Sequence, residues 1–291
     1  MLEFREIKIE DKEWIKPLLN LSGYRGCEYT FGNNFLWSEA FNIKVARYKD
    51  FYLVQSGDNY FFPAGKGDIS EVISILRQHC RELGKTLCFA SSPKTGMELL
   101  KETYGDGIQV FENRDFFDYC YNYTDLATLV GKKFHSKRNF INRFENNSWS
   151  YEEITPDNIS DCKQILRQWY EENKENGDSS MQQETNVAVK GLDNFTQLGF
   201  TGGLLKVEGK PVAFTYGEPI NADTFDVHVE KALSVYDGSY PMINKQFVSR
   251  LNPEYKYINR EEDMGEENLR KAKLSYHPAF MEEKFRITFK D

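Results

Sequence analysis

Ser150-Tyr151-Glu152-Glu153-Ile154-Thr155-Pro156-Asp157 opens the second half of this chain, and Glu3-Phe4-Arg5-Glu6-Ile7 opens the first, 147 positions earlier. Each begins with the alternation of a half-buried strand and runs through acidic and amide residues into a helical period. The apolar positions that follow correspond: Ile15 with Cys162, Leu18 with Ile165, Leu19 with Leu166. Thr155 reads as a helix cap and Pro156 as the first helical residue.

Working outward, the order of elements repeats. The first half reads as a second helix near 31–41, strands near 42–48, 51–56 and 59–63, and a helix over 69–83. That helix carries the apolar stripe Val72, Ile73, Leu76, Cys80 and Leu83 and stops at Gly84. A strand at 86–90, a helix at 93–104 and one long strand over 108–123 complete it. The second half reads as a helix at 183–198, strands 202–207 and 211–218 joined by a hairpin at Glu208-Gly209-Lys210, and a strand at 224–233. A helix at 242–251, a strand at 255–259, a helix at 266–275 and a strand at 284–289 follow. The expected fold is a mixed α/β (α+β) protein of two similarly organised halves, which suggests an internal duplication. The expected domains are 1–123, a linking basic helix over 124–149, and an active half over 150–291.

The chain has 291 residues, 40% of them hydrophobic and 15% aromatic, enough for two cores. A net charge of −8 argues against general coating of nucleic acid. No run of 18 apolar residues exists, and the charged N-terminus does not read as a leader, so a cytoplasmic location is expected. Five widely spaced cysteines without a Cys-x-x-Cys fit reduced, buried thiols, and four histidines without ligand spacing predict no metal and no tightly bound cofactor.

Four segments carry potential chemistry. Gly131–Phe144 holds five Lys/Arg, including Lys133, Lys137 and Arg138, with His135 and Asn139 and no acid. Phe134, Phe140, Ile141 and Phe144 give it an apolar stripe. It can dock on a core and present cations to a phosphate-bearing ligand, or be a solvated basic face. The strand Thr224–Lys231 puts Asp226, His228 and Glu230 on one face. Two carboxylates beside an imidazole can orient an amine or relay a proton; taken alone, the strand reads more readily as the wet face of a sheet. Asp237-Gly238-Ser239-Tyr240 leads into a helix start, where free N–H groups favour an anion. Asn259-Arg260-Glu261-Glu262-Asp263-Met264-Gly265 runs into a helix bearing Arg270 and Lys273 and stops at Tyr276-His277-Pro278.

Asn259–Pro278 resembles the closing motif of the bacterial DUF2156 family, which is related to the C-terminal domain of phosphatidylglycerol lysyltransferases. Lys133-Phe134-His135-Ser136-Lys137-Arg138-Asn139 looks like that family's other recurring segment, Lys-x-x-x-Lys-Arg-Asn. The resemblance implies tandem acyl-CoA N-acyltransferase (GNAT)-like domains and transfer of an aminoacyl group from charged tRNA, or a similar activated ester, to a lipid or small acceptor. The Arg/Gln-x-x-Gly-x-Gly/Ala loop that acetyltransferases use for coenzyme A is missing, and Asp237-Gly238-Ser239-Tyr240 stands there. No membrane-spanning domain accompanies the motif, so the implied lipid contact is peripheral. Such a transfer assigns Lys133, Lys137 and Arg138 to donor phosphates, Asp226 and Glu261 to the donor amine, Arg270 and Lys273 to the tetrahedral intermediate, and His228 to the acceptor's proton. His135, Asn139, Tyr240, Asn259 and Tyr276 line the expected substrate site, and groups near 135, 228 and 270 are expected to converge. The other readings are a non-catalytic binder of a phosphorylated ligand and an acyl-CoA-dependent N-acetyltransferase.

Overall fold

The computed structural model describes residues 2–174 and 179–290. In chain order the first elements are β1 (Arg5–Glu6), α1 (Lys12–Ser22), α2 (Phe31–Leu36), β2 (Ile43–Tyr48), β3 (Phe51–Ser56), β4 (Asn59–Phe61), β5 (Ala64–Gly65), α3 (Ile69–Glu82), β6 (Cys88–Pro93), α4 (Lys94–Tyr104) and β7 (Ile108–Glu112). There follow β8 (Asp118–Asn122), α5 (Tyr123–Thr128), α6 (His135–Phe144), β9 (Trp149–Glu153), α7 (Ile159–Asn173), α8 (Ser179–Asp193), α9 (Phe195–Leu198) and β10 (Thr201–Val207). The last are β11 (Lys210–Pro219), β12 (Thr224–Ala232), α10 (Ser239–Val248), β13 (Tyr257–Asn259), α11 (Glu267–Leu274), β14 (Phe280–Glu282) and β15 (Lys284–Phe289).

The strands form two mixed sheets, ordered β1-β2-β3-β4-β6-β15-β7, with β5 on β3, and β14-β8-β13-β12-β11-β10-β9. The final strand β15 therefore lies in the first sheet, antiparallel to both β6 and β7. Strand β8 pairs with β13 in the second sheet, with Ile258 opposite Tyr121. This threading explains the two compact units. One comprises 1–119, 262–267 and 281–291; the other comprises 120–261 and 268–280. The grouping crosses the divisions at 123/124 and 149/150 read from the sequence. A strand of a sheet is held by its hydrogen-bonded neighbours, wherever it falls along the chain.

In the first unit, the α3 stripe Val72, Ile73, Leu76 and Cys80 packs on Leu53, Phe89 and Ile287. Leu83, expected to belong to that stripe, is exposed. It is the C-cap, and Gly84 behind it is left-handed (φ 67), which turns the chain away. The long strand expected over 108–123 is instead two strands. Asn113 accepts a hydrogen bond from the Asp115 amide at 3.0 Å, and a 3-10 turn at Arg114–Phe116 separates β7 from β8.

In the second unit, Phe214, Tyr216, Phe225 and Ile258 are buried, as are Ile165, Leu166 and Phe247 of the helices, and the Phe225 and Phe247 rings meet edge-on at 5.8 Å. The β10–β11 hairpin turns through Glu208 (φ 50) and Gly209 (φ 75), the left-handed pair of a type I′ turn. Helix α7 starts later than expected. Thr155–Asn158 is a closed turn, with the Thr155 amide donating to Asn158 Oδ1 at 2.8 Å, and the helix begins at Ile159. Helix α10 starts earlier than the expected 242, at Ser239. Phe134, Ile141 and Phe144 dock α6 as its pattern requires, whereas Phe140 remains exposed under the Arg143 guanidinium. The five cysteines are all free and buried.

Candidate functional site

Strict alternation would put Asp226, His228 and Glu230 on one face of β12, but β12 carries an extra residue against β11 between Val227 and Val229, so Asp226 shares the face of Glu218 while Glu230 lies opposite Thr215 on the other face; His228 meets Asp226 and Glu218. The His228 side chain is 3% exposed. Its Nδ1 lies 3.0 Å from Glu261 Oε1 and 3.5 Å from Asp226 Oδ2, and its Nε2 lies 3.4 Å from Glu218 Oε1. Glu218 comes from β11 and Asp226 from β12, where the two strands face each other. The Phe200 ring, centroid 5.3 Å away, packs against the imidazole.

Burial opposes the imidazolium, but Asp226, Glu218 and Glu261 outweigh it and hold the His228 pKa well above the usual value. His228 is therefore protonated at neutral pH. That direction suits His228 to donate a proton and the carboxylates around it to accept one, whereas the sequence pattern suggested His228 as the acceptor.

Glu261 is the most open of these acids, with its side chain 19% exposed against 2% for Glu218 and 0% for Asp226. Its backbone is in the left-handed region, φ 55, which a non-glycine residue adopts at a cost. Three restraints hold it there. Buried Asn259 accepts from the Glu261 amide at 2.7 Å, and Lys273 Nζ donates to the carbonyls of Arg260 (2.6 Å) and Glu261 (3.1 Å). Tyr121 Oη in turn donates to the Lys273 carbonyl at 2.8 Å, fixing α11. Asn259 and Lys273 thus position Glu261.

Glu230, on the other face of β12, belongs to a basic cluster. Arg260 Nη2 pairs with Glu230 Oε1 at 2.8 Å, and Glu230 also accepts from Asn244. The guanidinium lies over the ring of buried Tyr276 at 4.8 Å, and Lys137 Nζ lies over the same ring at 3.8 Å. Burial, then Arg260, pull the Lys137 pKa down to about 8.

The other expected residues have different surroundings. Lys133 pairs with Asp125 at 2.9 Å, and Arg138 donates to the carbonyls of Leu129 and Gly131, bracing the turn before α6. His135 is exposed and meets Asn139 at 3.3 Å. Tyr240 is half-exposed and accepts from Trp169 Nε1 at 3.1 Å. Arg270 is half-buried on α11. Asp237 pairs with Arg143, and Gly238 (φ 88) lies where a Cβ would come 2.1 Å from the Phe140 carbonyl, so α6 closes over this turn.

The first unit holds a cluster the sequence reading missed. Lys284 Nζ is 2.6 Å from Asp118, 2.9 Å from Glu28, 3.7 Å from Glu262 and 3.3 Å from Cys27 Sγ. Burial disfavours its charge, but Asp118, Cys27, Glu28 and Glu262 more than compensate and keep it protonated. Burial, with Asp118 nearby, raises the neighbouring Glu282 to about 7. These residues are scattered along the chain, so no periodicity marks them.

Among the described residues two groups bring ligand-type atoms together: Asp226–His228–Glu261, and Cys27–Asp118–Glu262. In the second, the Lys284 ammonium already sits against Asp118. Among the described residues no helix is long and apolar enough to cross a membrane.

The family model for the phosphatidylglycerol lysyltransferase C-terminal domain matches residues 19–288. A conserved protein of unknown function from Bacteroides thetaiotaomicron is 38% identical, with all of both chains covered and a TM-score of 0.95. The L-PGS from Bacillus licheniformis (15% identity, 97% of this chain, 92% of that one) superposes with a TM-score of 0.66. The C-terminal domain of a putative lysylphosphatidylglycerol synthetase from Agrobacterium fabrum (14% identity, 96% and 91%) gives 0.65. No curated protein matches the sequence. The fold is of the mixed α/β class that the sequence reading anticipated.

Proposed function

The chain belongs to the phosphatidylglycerol lysyltransferase C-terminal family, and from that premise we propose that its second unit transfers an aminoacyl or other acyl group from an activated ester, such as charged tRNA, to a nucleophilic acceptor. The observation that carries this reading is the His228 imidazolium held by Glu261, Asp226 and Glu218, with Glu261 the one open to approach.

In the proposed step, the acceptor's hydroxyl or amine attacks the ester carbonyl as Glu261 takes its proton. The C–O ester bond breaks, and the His228 imidazolium protonates the departing oxygen. Glu261 then returns its proton to His228 Nδ1, 3.0 Å away, and the pair is restored. The negative charge of the cluster also favours the donor's ammonium, the role assigned to Asp226 and Glu261. Lys273, engaged with the Arg260 and Glu261 carbonyls, holds Glu261 in place, and the half-buried Arg270 of the same helix supplies positive charge toward the tetrahedral oxyanion.

The test is release of radiolabelled amino acid from a mixed pool of charged tRNAs, with anionic lipid vesicles or amines as acceptors. Transfer above the spontaneous rate is expected, with a loss of about 10²–10⁴-fold in Glu261→Gln. No transfer to any acceptor, or full activity in Glu261→Gln, overturns the reading.

A further inference from the structure

We infer that Lys137, Arg260 and Tyr276 form a subsite for one singly charged oxyanion of the phosphodiester kind. This deepens the transfer reading by naming an anionic group of the donor or acceptor, yet it is a binding property that can be measured without turnover.

The argument starts from charge. Two cations, Lys137 and Arg260, share the ring of one buried tyrosine, at 3.8 and 4.8 Å from its centroid. The carboxylate that faces both is Glu230, and it is already engaged by Arg260 Nη2 at 2.8 Å and by Asn244 Nδ2 at 3.0 Å. The set Lys137, Arg260, Glu230 therefore has one positive charge in excess, in surroundings where Arg260 is only 12% exposed. Holding two like charges together out of water is unfavourable unless a counter-charge arrives.

The second observation is geometric. Arg260 Nη1 is buried and has no hydrogen-bond partner among the described residues. A guanidinium N–H left unpaired in the interior costs free energy that a bound oxygen restores. Lys137 Nζ, whose contact is the tyrosine face, also has N–H donors to give. Lys137 is half-buried, so the pair is reachable from solvent. A ligand with two oxygens sharing one negative charge satisfies both donors and cancels the excess.

The titratable and charged groups around Lys137 are Arg260, Glu230 and Tyr276, with Tyr121 beyond Arg260. In the free protein Lys137 loses its proton near pH 8. A bound anion favours the ammonium, so binding above that pH takes up a proton and weakens as pH rises.

The experiment is titration calorimetry of the full chain at pH 8.5, in two buffers of different ionisation enthalpy. The probes are a dinucleoside monophosphate, glycerophosphoglycerol, inorganic phosphate and acetate. Binding of a phosphodiester with uptake of about half a proton or more is expected; which of the first two binds tells a nucleic-acid source from a lipid headgroup. Lys137→Met should weaken binding about tenfold or more. Lys137→Arg should keep binding and abolish the proton uptake, which distinguishes the subsite from a merely structural lysine even if the Met variant folds poorly. Failure of every phosphate probe to bind, acetate binding as well as the phosphodiesters, or unchanged binding and proton uptake in both variants overturns the proposal. Binding without transfer leaves the subsite standing and removes only the reaction.

Discussion

Replacing His228 by Gln keeps much of the side chain's shape and one hydrogen bond but removes the positive charge from between Glu261, Asp226 and Glu218, at 3.0, 3.5 and 3.4 Å. Removing one partner of a buried ion pair costs about 3–5 kcal/mol, because the other charge is stranded. Here three acids lose one counter-charge, and two of them are at least 98% buried, so the full range applies. The pH dependence follows from the raised His228 pKa. Its stabilising contribution is complete below the unfolded value of about 6.5 and declines as pH rises toward the folded one. Urea denaturation followed by circular dichroism at pH 6 and pH 9 should show His228→Gln less stable by about 3–5 kcal/mol at pH 6. The gap should narrow at pH 9. A loss under about 1 kcal/mol at pH 6, or the same loss at both pH values, would refute the ion cluster as drawn.

Gly217→Ala should destabilise by at least about 1–3 kcal/mol, since its Cβ would sit 1.8 Å from the Asp226 carbonyl and push β12 away from β11; thermal unfolding that matches the parent removes this close approach from the account. Glu282→Gln should stabilise by about 2–3 kcal/mol at pH 8 and change little at pH 4. Its folded pKa of about 7 lies above the ordinary carboxyl value of 4.5, so folding loses stability as pH rises through that window and the neutral amide escapes the loss. Equal urea midpoints for parent and variant at pH 8 count against it.

Local pattern alone was enough for the elements. The apolar period of α3, the docking stripe of α6 and the alternation of β12 are visible as strings of residues, because each depends on neighbours two to four positions apart. The motif around Asn259–Pro278 also marked the segment whose Asn259, Glu261 and Lys273 now meet through hydrogen bonds. What the string could not tell was which side of β12 faces the interior. A wet face and a buried polar face have the same alternation, and the string also hides the extra residue of β12 against β11 that puts Glu230 on the face away from Asp226; only the pairing with β11 and the packing of Phe200 against His228 reveal these. The protonation of His228 follows from that burial among acids drawn from three separate segments. The Lys284 cluster gathers Cys27, Glu28, Asp118 and Glu262 because β15 returns to the sheet of the first unit. Sequence fixes periodicity, which is local, whereas charge partnership depends on distances across the folded chain, and those exist only once the sheets have formed.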